Sequence, residues 1–438
     1  SRFCAGESQS GAPCDDGDPN TINDQIQVDC GCRGEVLTCR SRDSLALVAI
    51  YNATNGPKWT KGWNLNTPIT SWNGLKFNGD GCLSQLDLSN NNLSGSFPSE
   101  IGNLIDLQHL DLSKNNLTGG IPETIGELNR LETLLLFENQ LSGSIPDGIG
   151  NLIHLRNFQL DYNLLTGPIP LSIGNLGQLE ILSMGFNQLN GEIPGGLGTL
   201  SHLQQVFLLH NQLTGSIPAN LGNAVSLEEL FLDDNQLTGS IPAELGQLSR
   251  LRILHLYRNG LVGSIPAQLG NLSALTELRL EFNQLGGAIP SSLGNLNQMK
   301  LFVLQGNQLT GEIPGSLGNL SSIELIQLND NQLSGCFDET LRPLCSVTYD
   351  FTNNPQLAWK GDFSHFCNGE AQPGATCDDG NLTTTNDQIR SDCGCSGEIN
   401  DCGSVTVDIS NYTNQSYSMQ PGERLFVDLF ADSPLPSD

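Results

Sequence analysis

Between Leu83 and Gly335 the hydrophobic and polar positions of this chain recur every 24 residues without a slip. One asparagine marks the phase, at Asn91, Asn115, Asn139, Asn163, Asn187, Asn211, Asn235, Asn259, Asn283, Asn307 and Asn331, so the segment holds eleven turns. The fifth turn reads Leu179-x-x-Leu182-x-Met184-x-x-Asn187-x-Leu189-x-Gly191-x-Ile193-Pro194, followed by Leu197, Gly198 and Leu200. Alternation around Leu182 and Met184 predicts one short strand per turn, and strands repeated at a constant period stack into a parallel sheet. A period in this range is the signature of a solenoid.

Leu179, Leu182, Met184, Leu189, Ile193, Leu197 and Leu200 are expected to point inward, where only the turns above and below cover them. A single turn therefore has no core of its own. The asparagine is expected to be buried and to bond backbone groups where the strand bends away, because an unpaired buried amide costs ~1 to 3 kcal/mol. Gly191 and Pro194 are expected to shape the exit from the strand, one through permissive dihedrals and the other through its missing amide donor.

The Leu-x-Gly-x-Ile-Pro signature resembles the plant-type subclass of leucine-rich repeats, which is familiar from plant receptor ectodomains and polygalacturonase-inhibiting proteins. It also occurs in secreted bacterial and algal proteins. The resemblance covers residues 83 to 335 almost without gaps. It implies an α/β solenoid, a right-handed superhelix whose Leu-x-Leu strands line a concave parallel sheet. For function it implies recognition of a peptide, a protein or a cell-wall glycan. The same coil serves many ligands, so the fold names none of them.

A solenoid must cover both ends. Residues 43 to 82 are expected to form the front cap, with a helical stretch from Asp43 to Tyr51 and with Trp59, Trp63 and Trp72 plugging the first turn. At the far end Cys336-Phe337-Asp338 replaces the Ile-Pro, and residues 336 to 360 read as the closing cap. A Cys336–Cys345 disulfide is expected there, with Tyr349, Phe351 and Leu357 on a degenerate strand. Outside the caps lies a second repeat. Cys4, Cys14, Cys30, Cys32 and Cys39 have the spacing of Cys367, Cys377, Cys393, Cys395 and Cys402, offset by 363 residues. One Cys/Asp module thus occurs twice, at 1–42 and 361–403, and similar short modules are found in multimodular surface proteins. Residues 404–438 form a tail whose segments Val405 to Ile409 and Arg424 to Phe430 alternate like strands. They are expected to pair with another chain or to begin a further domain.

Thirteen cysteines in this arrangement argue for an oxidising compartment, secreted or at a cell surface. Cys30 and Cys32 on an extended segment point to opposite faces, so each is expected to reach back to an earlier cysteine. If Cys4 and Cys14 are those partners, Cys39 remains for Cys82, and Cys402 is left over, either unpaired or bonded to another chain. Asp15, Asp16, Asp18, Asn20, Asn23 and Asp24 offer hard oxygen ligands around Gly17, as calcium loops do, and the second copy offers Asp378, Asp379, Asn381, Asn386 and Asp387. A structural Ca2+ is expected there, against the alternative of a turn that Asp, Asn and Gly make unaided.

Charge narrows the partners. Forty-seven acidic residues against 19 basic ones give a net charge of -28, which excludes nucleic acid and disfavours anionic membrane surfaces. Membrane insertion is not expected either, since no apolar run approaches the ~18 residues of a span. The chain begins at Ser1 and is read as processed or excised. Sequons at Asn52, Asn92, Asn116, Asn271, Asn319, Asn381, Asn411 and Asn414 would carry glycans in a eukaryotic host, although several arise automatically from the repeat.

Residues between the inward leucines of each strand face the hollow. Turn three places Leu135 and Phe137 there, and turns six to eight place Phe207, Leu209, His210, Phe231, His255, Tyr257 and Arg258. Aromatic side chains with Arg and His form the best candidate interface in the chain. No enzyme is expected: the six histidines have no H-E-x-x-H spacing, and there is no G-x-S-x-G elbow. The expected function is non-catalytic extracellular recognition or adhesion through the concave face. The alternative is a structural subunit of a surface fibre or matrix, in which copies of the chain join head-to-tail through the terminal modules and tail.

Overall fold

The computed structural model describes residues 11–17, 21–27, 29, 31–36, 38–369, 384–389 and 395–399. The chain separates into two units, 1–367 and 368–438. In the first unit thirteen strands form one sheet. Leu75–Phe77 starts it, antiparallel to Leu83–Asp87, and every later neighbour is parallel, ending with Thr348–Asp350 beside Leu325–Gln327. Among the parallel neighbours the register never slips, as Phe207↔Phe231 and Phe231↔His255 illustrate. The solenoid implied by the 24-residue period is therefore the fold, and its leucines are buried as expected, Leu179, Leu182 and Met184 completely.

The asparagine column holds the turns together. In Asn211, Oδ1 accepts from Leu189 N at 3.0 Å, and Nδ2 donates to the Met184, Leu208 and Leu209 carbonyls at 2.9, 3.2 and 3.2 Å. Each side chain thus binds its own bend and the turn before it. The column continues one rung beyond the sequence repeat, to the fully buried Asn354, which accepts from Leu333 N at 2.9 Å.

The Asn-x-Leu-x-Gly segment does more than turn the chain. Gln188–Glu192 is a strand that pairs with Leu164–Pro168 and Gln212–Thr214, part of a second, six-stranded parallel sheet. A five-stranded sheet from Val262–Ser264 onward continues the motif. Pro194 then caps a short 3-10 helix, Gly195–Thr199. Gly198 lies inside that helix for a steric reason, because a Cβ there would sit 2.0 Å from the Asn220 carbonyl oxygen of the next turn.

Helix α1, Cys39–Ala53, opens the front cap four residues before the expected boundary, where Thr38 accepts from Ser41 N and starts it. Cys39 is bonded to Cys82. Asp43, buried in the helix, accepts from Leu83 N at 2.6 Å and so ties the cap to the first strand. Trp59, Trp63 and Trp72 are each 6% exposed, with ring centroids 4.8 and 4.7 Å apart along the row. Their indole donors bond the Thr54, Asn73 and Asn64 carbonyls, which removes the cost of burying them.

The far cap differs from expectation. Cys345 is bonded to Cys367, not to Cys336, which is engaged in a disulfide of its own. Helix α2, Phe363–Cys367, buries Phe363 and Phe366 against Phe337, and this packing brings Cys367 within a 5.5 Å Cα separation of Cys345. Residues 363–367 are thus packed against the cap and bonded to it.

In the first module Thr21–Ile26 pairs antiparallel with Cys32–Val36, and Cys14 is bonded to Cys32. The second unit contains the hairpin Thr384–Ile389 with Cys395–Ile399. Its partners, Thr384↔Ile399, Thr385↔Glu398, Gln388↔Ser396 and Ile389↔Cys395, repeat those of the first hairpin at the 363-residue offset, bulge included. Cys4, Cys30, Cys377, Cys393, Cys402 and the tail strands lie outside the described residues.

Candidate ligand face

The open side of the thirteen-stranded sheet carries two parallel columns. One holds the last residue of each strand: Leu135, Gln159, Ser183, Phe207, Phe231, His255 and Arg279 in turns three to nine. The other lies two residues further on and includes Phe137, Asp161, Gly185, Leu209, Asp233, Tyr257 and Glu281. Phe207 stacks on Phe231 with centroids 5.0 Å apart, Phe231 meets His255 edge-on at 4.6 Å, and His255 lies 5.9 Å from Tyr257. The Arg279 guanidinium covers the Tyr257 ring at 4.4 Å, and its Nε donates to Glu281 Oε1 at 2.9 Å. Phe207, Phe231 and Tyr257 are half-buried, so their outer faces remain available.

Leu135 and Phe137 are on the same side but do not join this cluster. Gln159 and Ser183 separate Leu135 from Phe207, and Phe137 instead meets the Lys114 ammonium at 5.7 Å. His210 and Arg258 belong to neither column. They belong to a rim column, the residue immediately before each repeat asparagine, which has positive φ: Tyr162 (53°), Phe186 (54°), His210 (50°), Asp234 (51°), Arg258 (50°) and Phe282 (58°). Such dihedrals disfavour bulky L-residues. They are held by amide bonds to the next turn, for example Phe186 N to Leu209 O and His210 N to Asp233 O, both 3.0 Å. Along the rim Tyr162 stacks on Phe186 at 4.2 Å and Phe186 on His210 at 4.4 Å. His210 then contacts Asp234 at 3.3 Å, and Asp234 contacts Arg258 at 3.5 Å. Tyr162, Phe186, Asp234 and Phe282 are not among the sequence-predicted site residues, and their fixed place before the asparagine, shared with His210 and Arg258, is the signal that marks them.

Electrostatics separate the cluster from an ordinary wet surface. Burial pushes the His255 imidazole down to about 4, although its Nε2 is 3.1 Å from Glu277 Oε2, so the ring is neutral at pH 7. Burial also raises the Tyr257 hydroxyl to about 12 and raises the carboxyls of Asp161, Asp233 and Glu281. Asp161 is compensated by Ser183 Oγ at 2.7 Å and Gly185 N at 2.9 Å. Asp233 is fully buried, and neither of its oxygens makes a hydrogen bond of normal geometry, although the Tyr257 hydroxyl lies alongside.

In the first Cys/Asp module, ligand atoms of Asp15, Asp16 and Asp24 lie within 4.8 Å of one another. The hairpin bulge between Ile22 and Gln25 turns Asp24 toward the other two, so that it accepts from Asp16 N at 3.0 Å while its Oδ1 has no partner. Asp18 and Asn20 lie outside the described residues, as do Asp378, Asp379 and Asn381. Asn23, Asn386 and Asp387 fall on the two hairpins, at the bulge positions.

Three leucine-rich-repeat families match the chain: a leucine-rich repeat region at residues 139–263, a leucine rich repeat at 82–141, and a further leucine rich repeat at 274–296 and 298–320. No curated protein matches it. Among solved structures, the PEPR1–AtPEP1 complex is 33% identical with a TM-score of 0.62, over 72% of this chain and 50% of that one. The Arabidopsis receptor kinase HAESA, in complex with the peptide hormone IDA and the co-receptor SERK1, is 32% identical with a TM-score of 0.62, over 71% and 53%. A plant ice-binding protein is 26% identical with a TM-score of 0.54, over 73% and 94%. The chain spans about half the length of the PEPR1 and HAESA chains it matches. Among the described residues no helix is long and apolar enough to cross a membrane. Repeat period, asparagine column, parallel sheet and family matches agree: the chain belongs to the leucine-rich-repeat proteins.

Proposed function

We propose that the chain is a secreted or cell-surface recognition protein that binds a peptide or an extended protein segment across the Phe207–Phe231–His255–Tyr257–Arg279 cluster, without catalysis. The observation that carries this function is the contiguous aromatic row itself. Half-exposed aromatic rings, already ordered by stacking and capped by a guanidinium, offer large contact area at little entropic cost. Peptide recognition draws further support from the structural similarity to receptors solved with peptide hormones. A structural Ca2+ held by Asp15, Asp16 and Asp24 belongs to the same proposal, because a small module with little core needs disulfides, a metal or both.

The test is a displayed random-peptide library panned against the full chain, with a glycan array in parallel. Enriched peptides are expected to lose about 2 kcal/mol of binding, roughly 30-fold in Kd, on Phe231→Ala or Tyr257→Ala. Peptides that bind both variants as tightly as the wild type, or binding of glycans alone, would overturn it.

A further inference from the structure

At the seventh turn the rim column and the sheet face meet at His210, Asp233 and Asp234, whose ligand atoms all lie within 4.8 Å of one another. Nothing in the leucine-rich repeat calls for this combination. The corresponding residues one turn earlier are Leu209 and His210, and one turn later Tyr257 and Arg258. The strongest observation is Asp233. Its side chain is wholly inaccessible, and neither carboxylate oxygen makes a hydrogen bond of normal geometry, the Tyr257 hydroxyl being the one donor alongside. A buried carboxylate without well-formed hydrogen bonds is costly, and proteins resolve that cost by pairing, by neutralisation or by metal coordination.

Among the described residues no guanidinium or ammonium pairs with Asp233. The Arg258 guanidinium engages Asp234 at 3.5 Å, and the Arg279 guanidinium is committed to Glu281 and the Tyr257 ring. His210 Nε2 is 3.3 Å from Asp234 Oδ2, so the imidazole and the second carboxylate already face the same point. Side-chain exposures of 40% for His210 and 18% for Asp234 leave that point open to solvent, while Asp233 lies beneath it.

We infer that His210, Asp233 and Asp234 form a binding site for a borderline first-row divalent cation, of which Zn2+ is the representative. One imidazole nitrogen with two carboxylates suits zinc at ~2.0 to 2.2 Å per ligand, after closure of side chains that now stand somewhat farther apart. Ca2+ and Mg2+, which prefer all-oxygen shells, are poorly matched by the imidazole. Three protein ligands leave a fourth position facing solvent beside Phe231 and Tyr257, as in zinc sites that accept an external donor. Asp233 supplies the negative charge, and the cation supplies the counter-charge that no side chain provides. Holding the rim to the sheet face, the ion would also fix His210 in the positive-φ backbone it occupies. The site stands independently of the peptide-binding proposal, since it rests on different atoms.

Chelator-stripped full-length protein is titrated with ZnCl2 and, separately, with CaCl2, beside His210→Gln and Asp233→Asn. Asp233→Asn removes a buried uncompensated charge at nearly constant volume and is expected to keep the fold. Wild type should bind one zinc more than either variant, or bind the same number with the tightest Kd weakened ~10- to 100-fold in both variants, at least what loss of an outer-shell partner costs. Co2+ in place of Zn2+ should give a visible d–d absorption that disappears with His210→Gln. Equal zinc stoichiometry and affinity in all three proteins would overturn the assignment, because other surface histidines would then account for the binding. So would calcium binding that depends on Asp233 as strongly as zinc binding does, since that describes an acidic patch without a role for the imidazole.

Discussion

Asn211→Ala measures what one rung of the asparagine column is worth. The side chain makes four hydrogen bonds, yet their loss is not four times the usual value, because the column shares acceptors between turns. The Met184 carbonyl keeps Asn187 Nδ2 at 3.2 Å, the Leu208 carbonyl keeps Asn235 Nδ2 at 2.9 Å, and the Leu209 carbonyl keeps Phe186 N at 3.0 Å. Only Leu189 N is left buried and unpaired. That orphan costs ~1 to 3 kcal/mol, and with the weakened carbonyls the total is about 2 to 4 kcal/mol. Asn211→Asp discriminates further. It retains the acceptor for Leu189 but aims an anionic oxygen at three carbonyls, so at pH 7 it should be less stable than Asn211→Ala, and part of the loss should return in acid as the neutral carboxyl donates one bond. Urea unfolding with an unchanged m-value is the assay. An alanine effect below about 1 kcal/mol, or an aspartate variant more stable than alanine at pH 7, would refute the reasoning.

Two further outcomes are expected. His255 has a folded pKa near 4 and an ordinary value of 6.5, so the unfolded chain binds more protons between those values and stability falls as the pH drops through that window. At about 1.4 kcal/mol per pH unit the loss is at most about 3 kcal/mol, and it should vanish in His255→Gln. The raised carboxyls of Asp161, Asp233 and Glu281 act in the opposite sense, gaining stability as acid neutralises them, but they are common to both proteins and cancel in the comparison. Urea melts of the two proteins at pH 7 and 4.5 decide it; parallel pH profiles would count against a buried neutral imidazole. Millimolar CaCl2 should raise the melting temperature of the wild type by a few degrees and leave Asp24→Asn unmoved, in calorimetry of both proteins; an equal response would place calcium elsewhere.

The solenoid was legible because each turn repeats one inward pattern, and a strict period leaves a single way to stack it. Tryptophans in the front cap and the asparagine column follow from the same logic, since large apolar groups and buried amides each have few places to go. Leu135 and Phe137 lie on the face read for them, and the intervening Gln159 and Ser183 set their distance from the cluster, which position alone does not give. His210 and Arg258 show a further limit, for a strand offset cannot reveal that the chain has turned left-handed by that residue.

The 24-residue spacing alone determined the repeat, its sheet and its buried residues, because stacking interactions are local and identical from turn to turn. Tertiary structure alone decided that Cys345 bonds Cys367, that Gln188–Glu192 and its counterparts form a second sheet, and that Asp233 lies buried beside His210 and Asp234. Each of these depends on how neighbouring turns or distant segments approach in space, and a disulfide, a ladder or a ligand cluster is set by separations of a few ångströms that linear order does not carry.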